Sequence, residues 1–153
     1  MIMKSNRQII NELKELLELV NDGKEGFETS SEATDKIELK GLFLRFSAQR
    51  ALYASELKAH IEKHGGKADN ERGDLAGALH RTWIDIKQAL SSKEDKAILN
   101  AVLGGERVAL DRYNRLIADF DDHADHIDLL RRQRDGIVDA MESVYEMMSR
   151  QKR

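Results

Sequence analysis

The chain has 153 residues, 25 Lys and Arg against 28 Asp and Glu, a formal net charge of −3, and neither cysteine nor proline. The missing cysteines exclude disulfides, thiolate metal sites and thiol catalysis, and the interspersed charges leave no basic face for nucleic acid. A chain of this length suits one domain that buries roughly two-thirds of its unfolded surface and needs no covalent staple. The lack of proline favours long unbroken helices. The opening residues, MIMKSNRQII, hold no extended apolar run. Neither a signal peptide nor a membrane span is expected, and the chain reads as cytoplasmic.

Four long segments carry apolar residues at helical spacing. The first covers 5–33, with Ile9, Leu13, Leu16, Leu17, Val20 and Phe27 on one face, and it opens on a capping box of Ser5 with Gln8. The second covers 35–64, opened by Asp35 with Glu38, with Leu39, Leu42, Phe43, Phe46, Tyr53, Leu57 and Ile61 on its stripe and a stop at Gly65-Gly66. The third begins at Ser91 or Ser92, where Ser91 and Glu94 could form a box, and carries Ile98, Val102, Ala109, Leu110, Tyr113, Leu116, Ile117 and Phe120. The fourth follows FDDHAD with Ile127, Leu130, Ile137, Val138, Met141, Tyr145 and Met148. Each would be about 40 Å long at 1.5 Å per residue, and matched lengths suit a bundle.

Between the second and third helices, the latter half of 65–90 has Leu75, Leu79, Trp83, Ile86 and Leu90 at amphipathic spacing. A connection this long can run back along the bundle, leaving the second and third long helices parallel. Gly23 and Gly26 inside the first helix cost about 1 kcal/mol each relative to Ala. We read them as marks of close approach, with Trp83 as the neighbour, in preference to a π-bulge beside a site. Gly104-Gly105 invites the same two readings. A second stripe on the second helix, Ile37, Leu44, Ala48, Ala51, Ser55 and Ala59, would admit the crossover helix or form a two-fold dimer interface.

The segments NDGKEGF (21–27), QRALYASEL (49–57), GG (65–66), LHRTW (79–83) and GERVALDRY (105–113) occur in that order. Together they resemble a bacterial family of ferritin-like four-helix-bundle proteins catalogued as a domain of unknown function. The resemblance spans roughly residues 5–145. It implies an all-α, ferritin-like four-helix bundle with a short crossover helix between the second and third long helices, and by analogy a setting in stress physiology. It implies no activity.

A ferritin-like dimetal centre, iron or manganese, needs one Glu from each of two helices and a Glu-x-x-His pair from each of the other two. Glu106 sits in the middle of the third apolar face. Glu56 is followed at the third position by Ala59, with His60 one later, and the fourth helix offers Gln133 and Gly136 where Glu and His belong. Glu25, Glu28 and Glu32 are off the first stripe. Glu56, His60 and Glu106 remain as a partial metal set. The wheel also places Arg50 and Arg134 among core positions, and a buried guanidinium cannot neutralise itself. We therefore expect a buried polar network of Arg50, Glu56, Glu106, Tyr113 and Arg134 where metals would sit, setting helix register. Two lesser metal groups are His60 and His64 with Glu56, and Asp122, His123 and His126. The expected protein is a cofactor-free, non-catalytic bundle acting as a homo-oligomer, a dimer, without nucleic-acid or membrane partners. The alternatives are an iron or manganese oxidoreductase and a storage bundle with an apolar cavity between Phe43, Phe46 and Met141.

Overall fold

The structure is a computed structural model that describes residues 4–68, 76–120 and 124–151, with the backbone alone for 76–82, 124 and 151. Leu75, Asp122 and His123, and the side chain of Leu79, lie outside the described residues. Five helices follow in order: α1 (Asn6–Ala33), α2 (Ile37–Lys63), α3 (Ala76–Ser92), α4 (Asp95–Asp119) and α5 (Ala124–Gln151). The fold is all-α among the described residues, and none of its helices is long and apolar enough to cross a membrane.

Local chemistry sets the ends. Ser5 caps α1 with the full capping box to Gln8, whose reciprocal bonds satisfy two otherwise orphaned donors. At the end of α2, Gly65 adopts φ +88°, and the amides of Gly65 and Gly66 donate to the carbonyls of Glu62 (3.1 Å) and Ile61 (2.9 Å). This is a Schellman stop, which needs the left-handed conformation that glycine adopts without penalty. Asn6 adds a bond from Nδ2 to the His64 carbonyl (3.1 Å), tying α1 to that stop. The two other expected boxes do not form. Lys36, not Asp35, precedes α2 without a side-chain cap. Ser91 and Ser92 belong to the end of α3, where their hydroxyls donate back to the carbonyls of Gln88 and Ala89. The chain then turns through Lys93, at φ 59°.

Contacts between helix ends give the directions. Lys36, before α2, pairs with Asp95 at the start of α4. Lys4, before α1, lies 3.6 Å from Asp119 at the end of α4. His64 at the end of α2 meets Asp125 at the start of α5. Hence α2 and α4 point one way, and α1 and α5 point the other, because α3 carries the chain back along the molecule. One core joins the four long helices, including Leu13, Leu16, Phe43, Leu57, Leu99, Val102, Leu130 and Ile137.

The wheel for α5 needs correction by one position. Its buried line is Ile127, Leu130, Gln133, Ile137, Ala140, Val144 and Met147, while Tyr145 is 48% exposed. One residue of phase is 100° of rotation, enough to exchange a core position for a surface one.

Trp83 of α3 lies against the Gly26 backbone, where an added Cβ would overlap its ring. The ring also meets Phe27 edge-on at 5.4 Å. Gly26 thus admits the crossover helix. Gly104, by contrast, has open space beside it. We expect Gly26→Ala to destabilise the protein by about 1–3 kcal/mol, the cost of overpacking, read as a lower urea midpoint by circular dichroism together with altered Trp83 fluorescence. Unchanged stability and emission would refute the close approach.

Candidate functional site

Three polar layers cross the core. The first is built on Arg50 of α2, whose side chain is 3% exposed and pairs with Glu106 of α4, itself 2% exposed. The second guanidinium arm donates to Gln49 Oε1, and Gln49 Nε2 donates to the Gly136 carbonyl of α5 (2.9 Å). The guanidinium also lies over the Phe27 ring of α1, 5.6 Å from its centroid, a cation–π contact. Gly23 of α1 lies beside the Arg50 side chain and not Trp83: a Cβ there would stand 3.8 Å from Arg50 Cγ, an ordinary contact. All four long helices therefore converge on one cation. Oε2 of Glu106 and Nε1 of Trp83 have no hydrogen-bond partner in the protein, and both residues border a cavity of about 20 Å³, room for about one ordered water.

The second layer centres on Gln133 of α5, which is fully buried. It accepts from the Tyr113 hydroxyl of α4 (2.6 Å) and donates to the Tyr53 carbonyl (3.3 Å) and Glu56 Oε1 (3.1 Å) of α2. Burial pushes the Tyr113 hydroxyl well above its ordinary range, so it stays a donor. The Tyr53 hydroxyl, also raised by burial, sits against Gly136, where a Cβ would clash with it. The sequence put Gln133 at a ligand position but left it out of the expected polar network, whose second layer it centres. Arg134 was expected in the core, but its side chain is 30% exposed and pairs with Asp135 and Asn114. Glu56, 25% exposed, is held by Arg132 at 2.8 Å. The shifted phase of α5 explains both corrections, since it turns 133 inward and 132 and 134 outward.

The third layer lies where α2 ends and α5 begins. His60 Nε2 is 2.6 Å from His126 Nδ1, and His64 Nε2 is 2.7 Å from Asp125 Oδ2. The rings of His60, His64 and His126 have centroids 4.5–4.8 Å apart. Burial first, then the field of His64 with that of Lys63, lowers the pKa of His60, against Asp125, which raises it. Burial alone would raise Asp125, but the hydrogen bond from His64 and the fields of the histidines leave it lowered. The structure does not gather Glu56, His60 and Glu106: each is engaged in a different layer. It joins instead the two minor groups, bringing His60 and His64 to His126. Asp125 was overlooked, although its place beside His126 in FDDHADH was a usable signal.

The family model described as a domain of unknown function, DUF2383, matches residues 8–119. The chain belongs to this family. No curated protein and no solved structure matches it. The DUF2383 match ends with α4, so Arg50, Glu106, Tyr113, His60 and His64 fall inside it and their partners Gln133, Asp125 and His126 fall outside.

Two outcomes follow from this geometry. Glu106→Gln leaves the Arg50 guanidinium buried without a countercharge and should cost about 3–5 kcal/mol in chemical denaturation. Replacing both, Arg50→Met with Glu106→Gln, should recover most of it; failure to recover would show that the pair does more than balance charge. The second outcome concerns pH in the presence of a chelator. His60 is held below its ordinary value of 6.5, so the unfolded chain takes up its proton more readily than the folded one. Its stabilising contribution is complete above about pH 6.5 and is lost as pH falls through the folded value; Asp125 acts only in a lower window, below its ordinary 3.8. The urea midpoint should fall between pH 7.5 and 5.5, and less steeply in His60→Gln.

Proposed function

We propose that this chain is a ferritin-like four-helix bundle that works through association with a second copy of itself, with its centre given to an ion pair instead of catalysis. The observation that carries the reading is the outward face of α2. Ile37 is 87% exposed, Leu44 51% and Leu52 56%, and Gly41, Ala48, Ala51, Ser55 and Ala59 beside them are exposed too. Positions 37, 41, 44, 48, 51 and 55 alternate steps of four and three, the seam of a coiled coil. The small residues at its middle would allow two helix backbones to approach closely. An antiparallel copy, with its two-fold axis at the height of Ala48, brings Leu44 level with the partner's Leu52 and Gly41 level with the partner's Ser55. Such an interface is self-complementary, as two-fold symmetry requires.

The alternative is an iron or manganese ferritin-like oxidoreductase or storage protein. The central residues do not fit that group. A guanidinium already pairs with Glu106, the neutral Gln133 stands where a carboxylate belongs, and Gly136, where His is needed, is covered by the Tyr53 hydroxyl. Phe43, Phe46 and Met141 are buried, and Phe27 packs against both phenylalanines at 6.2 and 5.4 Å, which speaks for a filled core at that level. In light scattering after size exclusion, the chain should elute as a dimer. Leu44→Glu with Ala48→Glu should give a monomer of unchanged helicity. A wild-type monomer at concentrations of tens of micromolar, or a dimer that survives both charges, would overturn the reading.

A further inference from the structure

We infer that His60, His64, Asp125 and His126 bind one divalent transition ion of the zinc class, fastening the end of α2 to the start of α5. One ligand atom from each of the four lies within 4.8 Å of the others. His60 lies in the last turn of α2 and His64, four residues on, is its C-cap, which leaves the two rings on one face, 4.6 Å apart. Asp125 and His126 come from the first turn of α5.

Donor chemistry selects the ion. Three imidazoles and one carboxylate suit zinc or cobalt, whereas magnesium and calcium take oxygen ligands. A tetrahedral ion with bonds of about 2.0–2.1 Å to nitrogen sets neighbouring donors roughly 3.3 Å apart. The two short contacts, 2.6 Å between His60 and His126 and 2.7 Å between His64 and Asp125, would open by under about 1 Å. The widest separation, 4.8 Å, would close by about 1.5 Å to reach the tetrahedral spacing, and the His64 and Asp125 side chains, 23% and 45% exposed, have room to rotate. In each short contact one ring nitrogen carries the proton; on binding an ion that proton moves to the other nitrogen of the same neutral ring, and the freed lone pair turns to the ion.

The site is also held in place before any ion arrives. The Schellman stop fixes the backbone at His64, and Asn6 holds the His64 carbonyl. His126 is 2% exposed, with its ring centroid 6.0 Å from that of Phe120. A cation is favoured at the C-terminal end of α2 by the helix dipole. Asp125 supplies the negative charge that offsets the opposing end of α5. With three neutral imidazoles and one carboxylate, the loaded site carries one net positive charge. Because all four donors belong to the chain, the ion's role is structural, in the manner of closed tetrahedral sites.

The test uses the untagged full chain, stripped with a chelator and titrated with zinc chloride by calorimetry. One zinc per chain, a raised melting temperature and the intense visible absorption of tetrahedral cobalt after cobalt chloride addition are expected; magnesium should do none of this. His60→Gln with His64→Gln should weaken zinc binding by at least the roughly 10–100-fold that loss of an outer-sphere partner costs. Circular dichroism checks that this variant folds, and if it does not, His64→Gln alone, at a partly exposed position, carries the comparison. Equal zinc affinity in wild type and variant, a weak octahedral cobalt spectrum, or no stoichiometric binding would overturn the assignment.

Discussion

A guanidinium buried in a protein core stays charged, so its surroundings must be arranged around it. Arg50 imposes that demand on every long helix of this chain. Glu106 must come to it from α4, Phe27 of α1 offers its ring face, and Gln49 links the same point to the backbone of α5. Sliding one helix by a turn, about 5.4 Å, would part the pair and leave two buried charges. The pair adds little net stability compared with an apolar replacement, but a displaced register is costly. Its contribution is to select one packing among many that a set of amphipathic helices could adopt.

The other two layers repeat the logic along the molecule. Moving down α2 from Arg50 through Tyr53 and Glu56 to His60, the matching positions on α4 advance from Glu106 to Tyr113 to Phe120, seven residues at a time. Those on α5 run backwards from Gly136 through Gln133 to His126. Seven residues are about 10.5 Å along α4, while on α2 the whole course from Arg50 to His60 is ten residues, about 15 Å, so the layers follow one another at intervals of one to two turns. The ionic character also changes along the way. A fixed charge pair holds the middle, a neutral amide with a tyrosine the next layer, and three imidazoles with a carboxylate the end. Only the last gathers imidazole nitrogens that can turn a lone pair to a metal ion.

This gradient bears on the ferritin-like reading proposed above. The Glu106 and Tyr113 spacing is compatible with a dimetal bundle, yet the middle is occupied by Arg50 and hydrogen-bonded through Gln133. The ion site we propose lies instead at the end of the molecule and is built from different residues. The exposed seam on α2 lies away from all three layers, so the proposed self-association and the proposed ion site need not compete for the same side chains.

Much of the fold was legible because helices announce themselves locally. The period of apolar residues marked α1 and α2, Ser5 with Gln8 and Gly65-Gly66 marked two ends, and the length of the connection implied the parallel course of α2 and α4. Arg50 and Glu106 could be paired from the sequence since each lies in the middle of a clear apolar stripe. The stripe on α5 was less clear: two apolar lines a residue apart, one through Val138 and Tyr145 and one through Ile137 and Val144, gave two wheels differing by 100°, and only packing against α2 and α4 chose between them. That choice turned Gln133 inward and Arg134 outward. Likewise, the sequence showed His60 and His64 as one pair and His126 as part of another, 62 residues further on from His64. Spacing within a helix is set by its own geometry and can be read directly. Which faces meet between helices is set by the collective packing of the core, and it was the tertiary structure alone that brought these histidines and Asp125 to one point.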